Sequence, residues 1–298
     1  MPLAGSILRN GNVGQSNSFE HAVKSGKLPQ FTKMLKKNLA QIKLDALILI
    51  GGNGSIALAW ETRDIYSDLQ LICIPKTIDM DIPLTDKTIG FDTAVSQLTH
   101  FCDDLMLTAR SHHRWFVVQA MGRKSGMLSL TAGVAGGASA ILIPEIKFDV
   151  EALVNHIKKS ETDYGIIMVS EGVSLRGHSG RPADIISRKL SAAGIVNRTA
   201  FPEHIQRAGD TVASDRIIAS KMAQCALNAI ENNETYVMTS YENNVCKTVS
   251  LSDVVSSGEL SIDPNIPEVQ ISNAYVDLND TLLSVALDMG IYIGELKY

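Results

Sequence analysis

The sequence predicts an α/β protein with two doubly wound halves, each built on a parallel sheet. Short apolar runs typical of buried strands alternate with longer stretches of helical periodicity, which favours parallel strands joined by helices. Two of these strands end in polar or glycine-rich loops, and sites in this fold class lie outside the carboxyl ends of strands. The strand patterns lie near 44–50, 69–74, 115–120, 139–143, 164–170 and 235–240, and the helical patterns near 31–43, 55–63, 92–110, 125–135, 149–159, 182–195 and 213–231.

Length, charge and cysteine spacing limit the classes of function. The chain has 298 residues and a formal net charge of −5, which allows one large or two medium domains and gives no reason to expect nucleic acid as a partner. No apolar run is long enough to span a membrane and no signal peptide is recognised, so a cytoplasmic location is expected. Buried free thiols are expected rather than disulfides or a zinc site, because the four cysteines lie far apart without CxxC spacing: Cys73, Cys102, Cys225 and Cys246.

The most informative segment follows the strand predicted near 69–74 and reads PKTIDMD from Pro75 to Asp81. If this segment stays extended, Asp79 and Asp81 point the same way, because side chains of a strand alternate. Like charges held that close are tolerated where a cation, or a proton in transit, sits between them. A lysine, a threonine and two carboxylates at this position therefore suit phosphoryl transfer. The same residue types also build turns and helix caps, and on this segment alone both interpretations stay open.

A glycine-rich loop follows the preceding predicted strand. Residues 51–55 read GGNGS and stand between the strand near 44–50 and a helix that begins near Ile56. This order forms a phosphate cradle, because backbone N–H groups converge in the loop and the helix N-terminus favours negative charge. Such a loop is weak support alone, but a doubly wound sheet would bring it beside the segment that carries Asp79.

Five motifs in the right order resemble those of the phosphofructokinase family. The family has a GGDGS-type loop, a PKTIDND-type segment, an MGR turn, a Glu-Gly after a later strand, and an Arg followed by His-Ile-Gln-Arg. This chain carries the corresponding residues at Gly51–Ser55, Pro75–Asp81, Met121–Arg123, Glu171–Gly172, and Arg198 with His204–Arg207. The resemblance implies two Rossmann-like domains. These are a phosphoryl-donor-side domain of residues 1–91 plus 206–257 and a sugar-phosphate-side domain of residues 92–205 plus 258–298.

The resemblance implies a 6-phosphofructokinase, which moves a phosphoryl group from ATP or pyrophosphate to the 1-hydroxyl of fructose 6-phosphate in glycolysis. Asp79 matches the family's general base, Thr77 a residue that supports the transferring group, and Arg123 a positive group that stabilises the transition state. Asp81 matches a carboxylate near the metal, Mg²⁺, and Asn53 stands where the family has another. The matched donor-side residues are Gly51, Gly52, Gly54, Ser55 and Lys76.

The acceptor side is matched at nearly every position. The family's contacts to fructose 6-phosphate are matched by Met121, Gly122, Glu171, His204 and Arg207. Arg114 and Arg198 match two arginines that reach the sugar phosphate of a neighbouring subunit, so the resemblance implies a homodimer or homotetramer with shared sites. The residue chemistry fits independently, because arginines grip phosphate bidentately and phosphoryl transfer needs positioning and charge neutralisation.

Three departures from the family pattern fall on the donor side. The GGDxPG-type loop that grasps the phosphoryl donor is not matched, so the first domain is expected to be truncated at its N-terminus. The aspartate of GGDGS is Asn53, which offers a neutral oxygen and lowers the expected metal affinity. A family arginine falls near Asn12, with Arg9 close by.

Two further aspartates are assigned structural roles. Asp92 is expected to be the N-cap of the helix predicted near 92–110, although the family has a similar GFDTA segment and a place near the site stays open. Asp215 and Arg216 open the helix predicted near 213–231 and are expected to be a cap and a surface pair.

The donor and the activity itself stay open at this stage. Lys76 is typical of pyrophosphate-dependent members and one ATP-using clade, whereas Gly54 is typical of ATP-using members. The alternative function is a catalytically impaired member that binds fructose 6-phosphate as a regulatory subunit or sensor, alone or with a full-length paralogue. A shortened reading frame with the donor loop upstream is a third explanation.

Overall fold

The computed structural model describes residues 25–67, 69–175, 177–257, 259–262, 269–272, 276–277 and 280–295. The expected truncation of the first domain concerns residues outside these ranges. The helices and strands in chain order are α1 (Leu28–Ile42), β1 (Ala46–Gly51), α2 (Asn53–Glu61), β2 (Gln70–Pro75), α3 (Phe91–Ser111), β3 (Trp115–Ala120), α4 (Met127–Ala135), β4 (Ala140–Leu142), α5 (Val150–Lys158), β5 (Gly165–Ser170), α6 (Pro182–Ala192), β6 (Asn197–Ala200), α7 (Ala213–Glu231), β7 (Val237–Glu242), β8 (Val245–Ser250), α8 (Leu251–Ser256), β9 (Glu259–Ile262), β10 (Val269–Ser272) and α9 (Thr281–Asp288). Short 3-10 helices cover Arg63–Tyr66 and Glu203–Arg207.

Two four-stranded sheets organise the described chain. The first sheet has the order β1-β2-β7-β8, and its strands are parallel except for the antiparallel pair β7 and β8. The second sheet has the order β4-β5-β3-β6 and is parallel throughout. The strands β9 and β10 form a separate antiparallel pair. The predicted α/β class with parallel sheets is confirmed.

Helices cover both faces of each sheet. In β2, Leu71 packs with α2 on one face, whereas Ile72 packs with α7 on the other. In β3, Val118 packs with α3 and α4, whereas Val117 packs with α5 and α6. Successive side chains of a strand point to opposite faces, so these apolar runs are buried on both sides. The sheets are therefore doubly wound, as predicted.

The strands and helices that the sequence did not predict are short or polar. The edge strand β6 has four residues, of which only Asn197 is buried. No residue of the edge strand β8 is fully buried, and the strand carries Lys247 and Thr248. Apolar periodicity is the main sequence signal for a strand, and edge strands that face solvent carry little of it.

The four cysteines differ in their exposure. All four cysteines are free; Cys73 and Cys102 are buried, and Cys225 and Cys246 are partly exposed. Burial raises the pKa of the Cys73 thiol to about 12.

Of the helices in the described ranges, none is both long enough and apolar enough to cross a bilayer.

The N-terminus of α3 is capped from another helix, and the expectation for Asp92 was wrong. The N-cap residue of α3 is Gly90, two positions earlier, so Asp92 lies in the first turn and accepts a hydrogen bond from Lys87 Nζ at 2.9 Å. Asp215 of α7 supplies the cap instead: its carboxylate accepts from the backbone N–H groups of Gly90 and Thr93. Asp215 is 1% exposed, which also corrects the expectation of a surface pair.

Candidate active site

The glycine loop and the PKTIDMD segment lie side by side at the carboxyl ends of β1 and β2. Gly51 pairs with Pro75 in the sheet, and the N–H of Lys76 donates to the carbonyl oxygen of Gly51 at 2.8 Å. A Cβ atom placed on Gly52 would lie 3.4 Å from the Cβ of Thr77. The parallel register therefore brings together the two loops that sequence reasoning placed one strand apart.

The segment that carries Asp79 and Asp81 is a turn, so it does not form the extended chain that would have pointed both side chains the same way. The strand β2 ends at Pro75, and Met80 has a left-handed φ of +52°. The Thr77 hydroxyl oxygen accepts a hydrogen bond from the N–H of Asp79 at 3.1 Å, which closes the turn. The turn interpretation and the catalytic interpretation of these residues are therefore compatible.

Asn53 joins the glycine loop to the carboxylate turn. It is the first residue of α2, is 4% exposed, and donates from Nδ2 to the carbonyl oxygen of Asp81 at 2.8 Å. An aspartate in this position would have no hydrogen to donate. The amide therefore has a structural role that the family's carboxylate could not fill in the same way.

A second turn holds the MGR residues at the carboxyl end of β3. Glu171, which follows β5, accepts from the N–H of Gly122 at 3.1 Å and from the N–H of Arg123 at 2.8 Å through one oxygen, Oε1. A Cβ atom on Gly172 would lie 2.2 Å from the carbonyl oxygen of Arg123, so only glycine fits there. The Glu-Gly pair is thus needed to support the turn, besides any contact that it makes with a ligand.

Gln206 is a member of the site that sequence reasoning missed. It lies in the 3-10 helix Glu203–Arg207, is 1% exposed, and accepts from the N–H of Met121 at 3.0 Å. The His-Ile-Gln-Arg motif contained it, but a glutamine carries little sign of function on its own. His204 and Arg207 flank it and are both exposed.

The two sheets meet at Asp79. Arg123 Nε lies 3.6 Å from Asp79 Oδ2, and the Asp79 side chain is 13% exposed against 45% for Arg123. The charges of Glu171 and Arg207 also act on this carboxylate. Asp79 at the end of the first sheet therefore faces Arg123 and Glu171 of the second sheet's loops, and Arg207 of the 3-10 helix that follows β6.

Burial and charge make the two carboxylates hard to ionise. Burial raises the pKa of Asp79 above its usual range, and the Glu171 charge adds to this effect. The charges of Arg123 and Arg207 and the hydrogen bond with Thr77 lower the pKa in part. Burial raises the pKa of Asp81 to about 7, and the neighbouring Asp79 charge adds to this effect. A pair of this kind is suited to take up a proton near neutral pH or to accept a cation.

The carboxylate pair fits the chemistry of Mg²⁺. Asp81 Oδ1 is buried and finds no hydrogen-bond partner among the described residues. In those residues no three His, Cys, Asp or Glu side chains form a metal cluster, but Mg²⁺ usually takes only one or two carboxylates and completes its shell with water and phosphate oxygens. Asp81 is thus the residue that would hold the cation, with Asp79 and Asn53 beside it.

Arg114 and Arg198 lie away from the other predicted site residues. Arg114 immediately precedes β3, whereas Gly122 and Arg123 follow its other end, and Arg198 pairs with Phe116 near the start of that strand. Six strand residues span about 20 Å, so these arginines cannot reach the Arg123 turn of their own chain. Arg114 Nε is buried without a partner in the described structure.

Replacing Asn53 with aspartate tests the bond between the two loops. Without magnesium, we expect Asn53→Asp to lower the free energy of unfolding by about 1–3 kcal/mol, because the Asp81 carbonyl loses its donor and faces a carboxylate. Magnesium is expected to restore part of the stability, since a further carboxylate favours the cation. Thermal unfolding with and without Mg²⁺ measures both effects. The exposed Asn155→Asp on α5 is the matched control, and equal stability of the two variants without Mg²⁺ would contradict this role.

Comparison with known proteins identifies the family. The model of the family described as phosphofructokinase matches residues 3–230. The chain belongs to the phosphofructokinase family. It is 33% identical over 305 residues to "ATP-dependent 6-phosphofructokinase 1" of Nostoc sp., covering 96% of this chain and 80% of that protein. It is 39% identical over 233 residues to the ATP-dependent 6-phosphofructokinase of Halothermothrix orenii, covering 75% of this chain and 70% of the relative.

Solved phosphofructokinase structures share the fold. The Pichia pastoris phosphofructokinase in the T-state superposes with a TM-score of 0.71 at 25% identity, covering 85% of this chain. This phosphofructokinase-family chain spans only 30% of the length of that yeast chain. The pyrophosphate-dependent phosphofructokinase of Marinobacter aquaeolei superposes with a TM-score of 0.69 at 19% identity, covering 90% of this chain and 73% of the other.

Proposed function

We propose that this protein is a 6-phosphofructokinase that transfers a phosphoryl group to the 1-hydroxyl of fructose 6-phosphate. The observation that carries the proposal is the contact between Asp79 of the first sheet and Arg123 of the second, at 3.6 Å. It joins a buried carboxylate that can accept a proton to a cation that can neutralise a transferring phosphoryl group. The family membership supports the same reaction.

Each half of the site has a separate task in this proposal. Asp79 takes the proton of the 1-hydroxyl, and the hydroxyl oxygen then attacks the terminal phosphorus of the donor, which releases ADP or phosphate. Thr77 and Arg123 stabilise the transferring group. Mg²⁺, held by Asp81 with Asn53 nearby, supplies charge neutralisation for the donor phosphates when it is bound. We assign Gly51, Gly52, Gly54, Ser55 and Lys76 to the binding of the donor, because the glycine loop and Lys76 lie side by side at the carboxyl ends of β1 and β2.

In this proposal the acceptor is held mainly by the second half, together with Arg207, which lies just past the boundary at residue 206. The turn at Met121–Arg123 and the Glu171 carboxylate orient the sugar, and His204 and Arg207 meet its hydroxyls and phosphate. In this proposal the donor-side domain is residues 1–91 plus 206–257, and the sugar-phosphate-side domain is residues 92–205 plus 258–298. The placement of the two four-stranded sheets supports this division.

In this proposal a second protomer completes the binding site for the sugar phosphate. Arg114 and Arg198 lie at the end of the second sheet opposite to the Arg123 turn, and two arginines close to one another suit a phosphate group. We propose a homodimer or homotetramer in which these arginines serve the neighbouring site.

Product formation with each donor tests the proposed reaction. The purified protein, fructose 6-phosphate and Mg²⁺ are combined with ATP or with pyrophosphate, and fructose 1,6-bisphosphate is measured. ATP is the first donor to test, because the relatives at 33% and 39% identity are named ATP-dependent. Formation of the bisphosphate with one donor supports the proposal and assigns the donor, whereas no product with either donor contradicts it.

The pH dependence of kcat/KM reports on the carboxylate pair. Asp79 acts as a base only when ionised, and burial raises its pKa, so we expect kcat/KM to begin to fall at a higher pH than it would with an exposed aspartate. Arg123 lowers the pKa of Asp79, so Arg123→Gln should move this acid limb to higher pH. More Mg²⁺ should move it to lower pH, because the cation competes with protons. If Arg123→Gln lowers kcat without moving the limb, the limb does not belong to this pair.

A further inference from the structure

We propose that Asp215 is a positioning residue for the loop that carries the catalytic carboxylates. From α7 on the first sheet it anchors the N-terminus of α3, and it thereby fixes the end of segment 76–90, which connects β2 to α3. The kinetic part of this inference rests on the proposed function, whereas its structural part does not.

The Asp215 carboxylate is buried and fully used. Oδ1 accepts from the N–H of Gly90 at 2.9 Å, and Oδ2 accepts from the N–H of Thr93 at 2.8 Å and from the Thr93 hydroxyl at 2.5 Å. The Thr93 hydroxyl oxygen accepts in turn from the N–H of Val212, the N-cap residue of α7, at 3.3 Å. Thus each helix contributes a side chain that satisfies a backbone donor at the start of the other helix.

One carboxylate lies at the N-termini of two helices, where each helix has N–H groups with no partner inside the helix and a partial positive charge. The N-cap of α3 is Gly90, which has no side chain to accept the orphan N–H groups of a 21-residue helix. Asp215 is itself in the first turn of α7, a 19-residue helix. A negative charge at this point lies near the positive ends of both helices, and an uncharged substitute would serve neither end as well.

Segment 76–90 folds back on itself, so a displacement at its end would reach its beginning. Thr88, which is 1% exposed, donates from its hydroxyl to the carbonyl oxygen of Thr77 at 2.8 Å. The N–H of Ile89 donates to the carbonyl oxygen of Pro75 at 3.1 Å. Gly90 packs against Ile78, since a Cβ atom placed on it would lie 3.7 Å from Ile78 Cγ2. Gly90 is therefore coupled mechanically to the turn that holds Asp79.

The anchor also connects the two sheets. The helix α7 packs on Ile72 and Ile74 of the first sheet, while α3 packs on Val118 of the second. Asp215 lies where these two helices meet. It therefore helps to set the separation between Asp79, carried by the first sheet, and Arg123, carried by the second.

The substitution Asp215→Asn tests the anchor with little change of shape. Its amide group would direct N–H toward a backbone N–H or a hydroxyl, so at least one of the three bonds would be lost. We expect kcat to fall by about tenfold to 10²-fold, because small misplacements of reacting groups have effects of this size. The affinity for fructose 6-phosphate should change by less than about twofold, since the Glu171 and Gln206 bonds hold the acceptor turn independently.

Amide hydrogen exchange gives a readout that does not depend on turnover. In Asp215→Asn, backbone amides of residues 76–93 should exchange faster than in the parent, while those of β3 and β5 should not. The exposed Asp104→Asn on α3 makes the same charge change on the same helix and should match the parent in both assays. A residue with only a general structural role would lower thermal stability without a selective change in this segment or in kcat.

The outcomes separate the anchor from the proposed reaction. If the parent protein has no turnover, the proposed function fails, and faster exchange in residues 76–93 still supports the anchor. Unchanged exchange in that segment overturns it. If Asp215→Asn does not fold, Thr93→Val decides, because it removes the hydroxyl bonds to Asp215 and Val212 and leaves the carboxylate in place. Faster exchange in segment 76–93 of that variant supports the anchor, and parental exchange overturns it.

Discussion

Replacing Asp79 with serine is expected to lower kcat by about 10²–10⁴-fold, because a positioned general base contributes a factor of that size. The affinity for fructose 6-phosphate is expected to stay nearly unchanged, since the Met121–Arg123 turn is held by Glu171 and Gln206 rather than by Asp79. A serine hydroxyl cannot accept the proton at neutral pH, and the substitution removes the carboxylate that lies 3.6 Å from Arg123 Nε. Steady-state rates and calorimetric titration with the sugar phosphate measure the two quantities separately.

The matched control for this variant is Asp45→Ser. Asp45 is exposed and precedes the amino end of β1, whereas Asp79 lies beyond the carboxyl end of β2. The control should keep the parental rate. Equal rates in Asp79→Ser and the parent would remove Asp79 from the mechanism, and a loss of sugar binding together with the rate would indicate that the site has collapsed.

Two variants that are each defective at low fructose 6-phosphate concentration are expected to restore activity at that concentration when they share an oligomer. Arg198→Ala should weaken fructose 6-phosphate binding by about tenfold or more, because hydrogen bonds to charged groups are worth about 1.5–3 kcal/mol. In a mixed dimer with Asp79→Ser, one site has an intact Asp79 from one protomer and an intact Arg198 from the other. Equal co-expression of the two variants, each with its own tag, should make about half of the dimers mixed. Only one of the two sites in a mixed dimer is intact, so the whole population should have about a quarter of the parental activity per site.

The control for this experiment places both defects on the same side of the site. Co-expression of Asp79→Ser with Arg123→Gln should restore nothing, because both residues belong to one chain, with their side chains 3.6 Å apart. Recovery in that control, or no recovery in the Arg198 mixture despite mixed oligomers, would contradict a site shared between protomers.

The parallel sheets and the two loops of the first sheet could be predicted because their signals are local. The runs at β1 and β2 are continuous and apolar, and each leads into residues with few structural alternatives, such as Gly51–Ser55. A doubly wound order then places the loops together without further information. Whether Pro75–Asp81 is extended or turned could not be decided from the sequence, because a threonine hydroxyl in the right position closes a turn and competes with strand geometry.

The contacts between distant parts of the chain could not be predicted in the same way. Gln206 and Asp215 read as ordinary helix residues, and their roles depend on which backbone N–H groups they meet, 85 and 122 to 125 positions away. The cap of α3 was assigned to Asp92 because a nearby aspartate is the usual solution. Gly90 takes the capping position instead, and the acceptor comes from α7.

The location of Asp79 and Arg123 on different sheets has a mechanical consequence. In the proposed reaction neither sheet alone supplies both the base and the cation, so the rate would depend on the angle between two separately packed bodies. A slight rocking of one body relative to the other would lengthen the gap between base and cation while leaving both hydrophobic interiors intact. A ligand that alters this angle by binding to a remote surface would change the rate of catalysis without contacting the reactants.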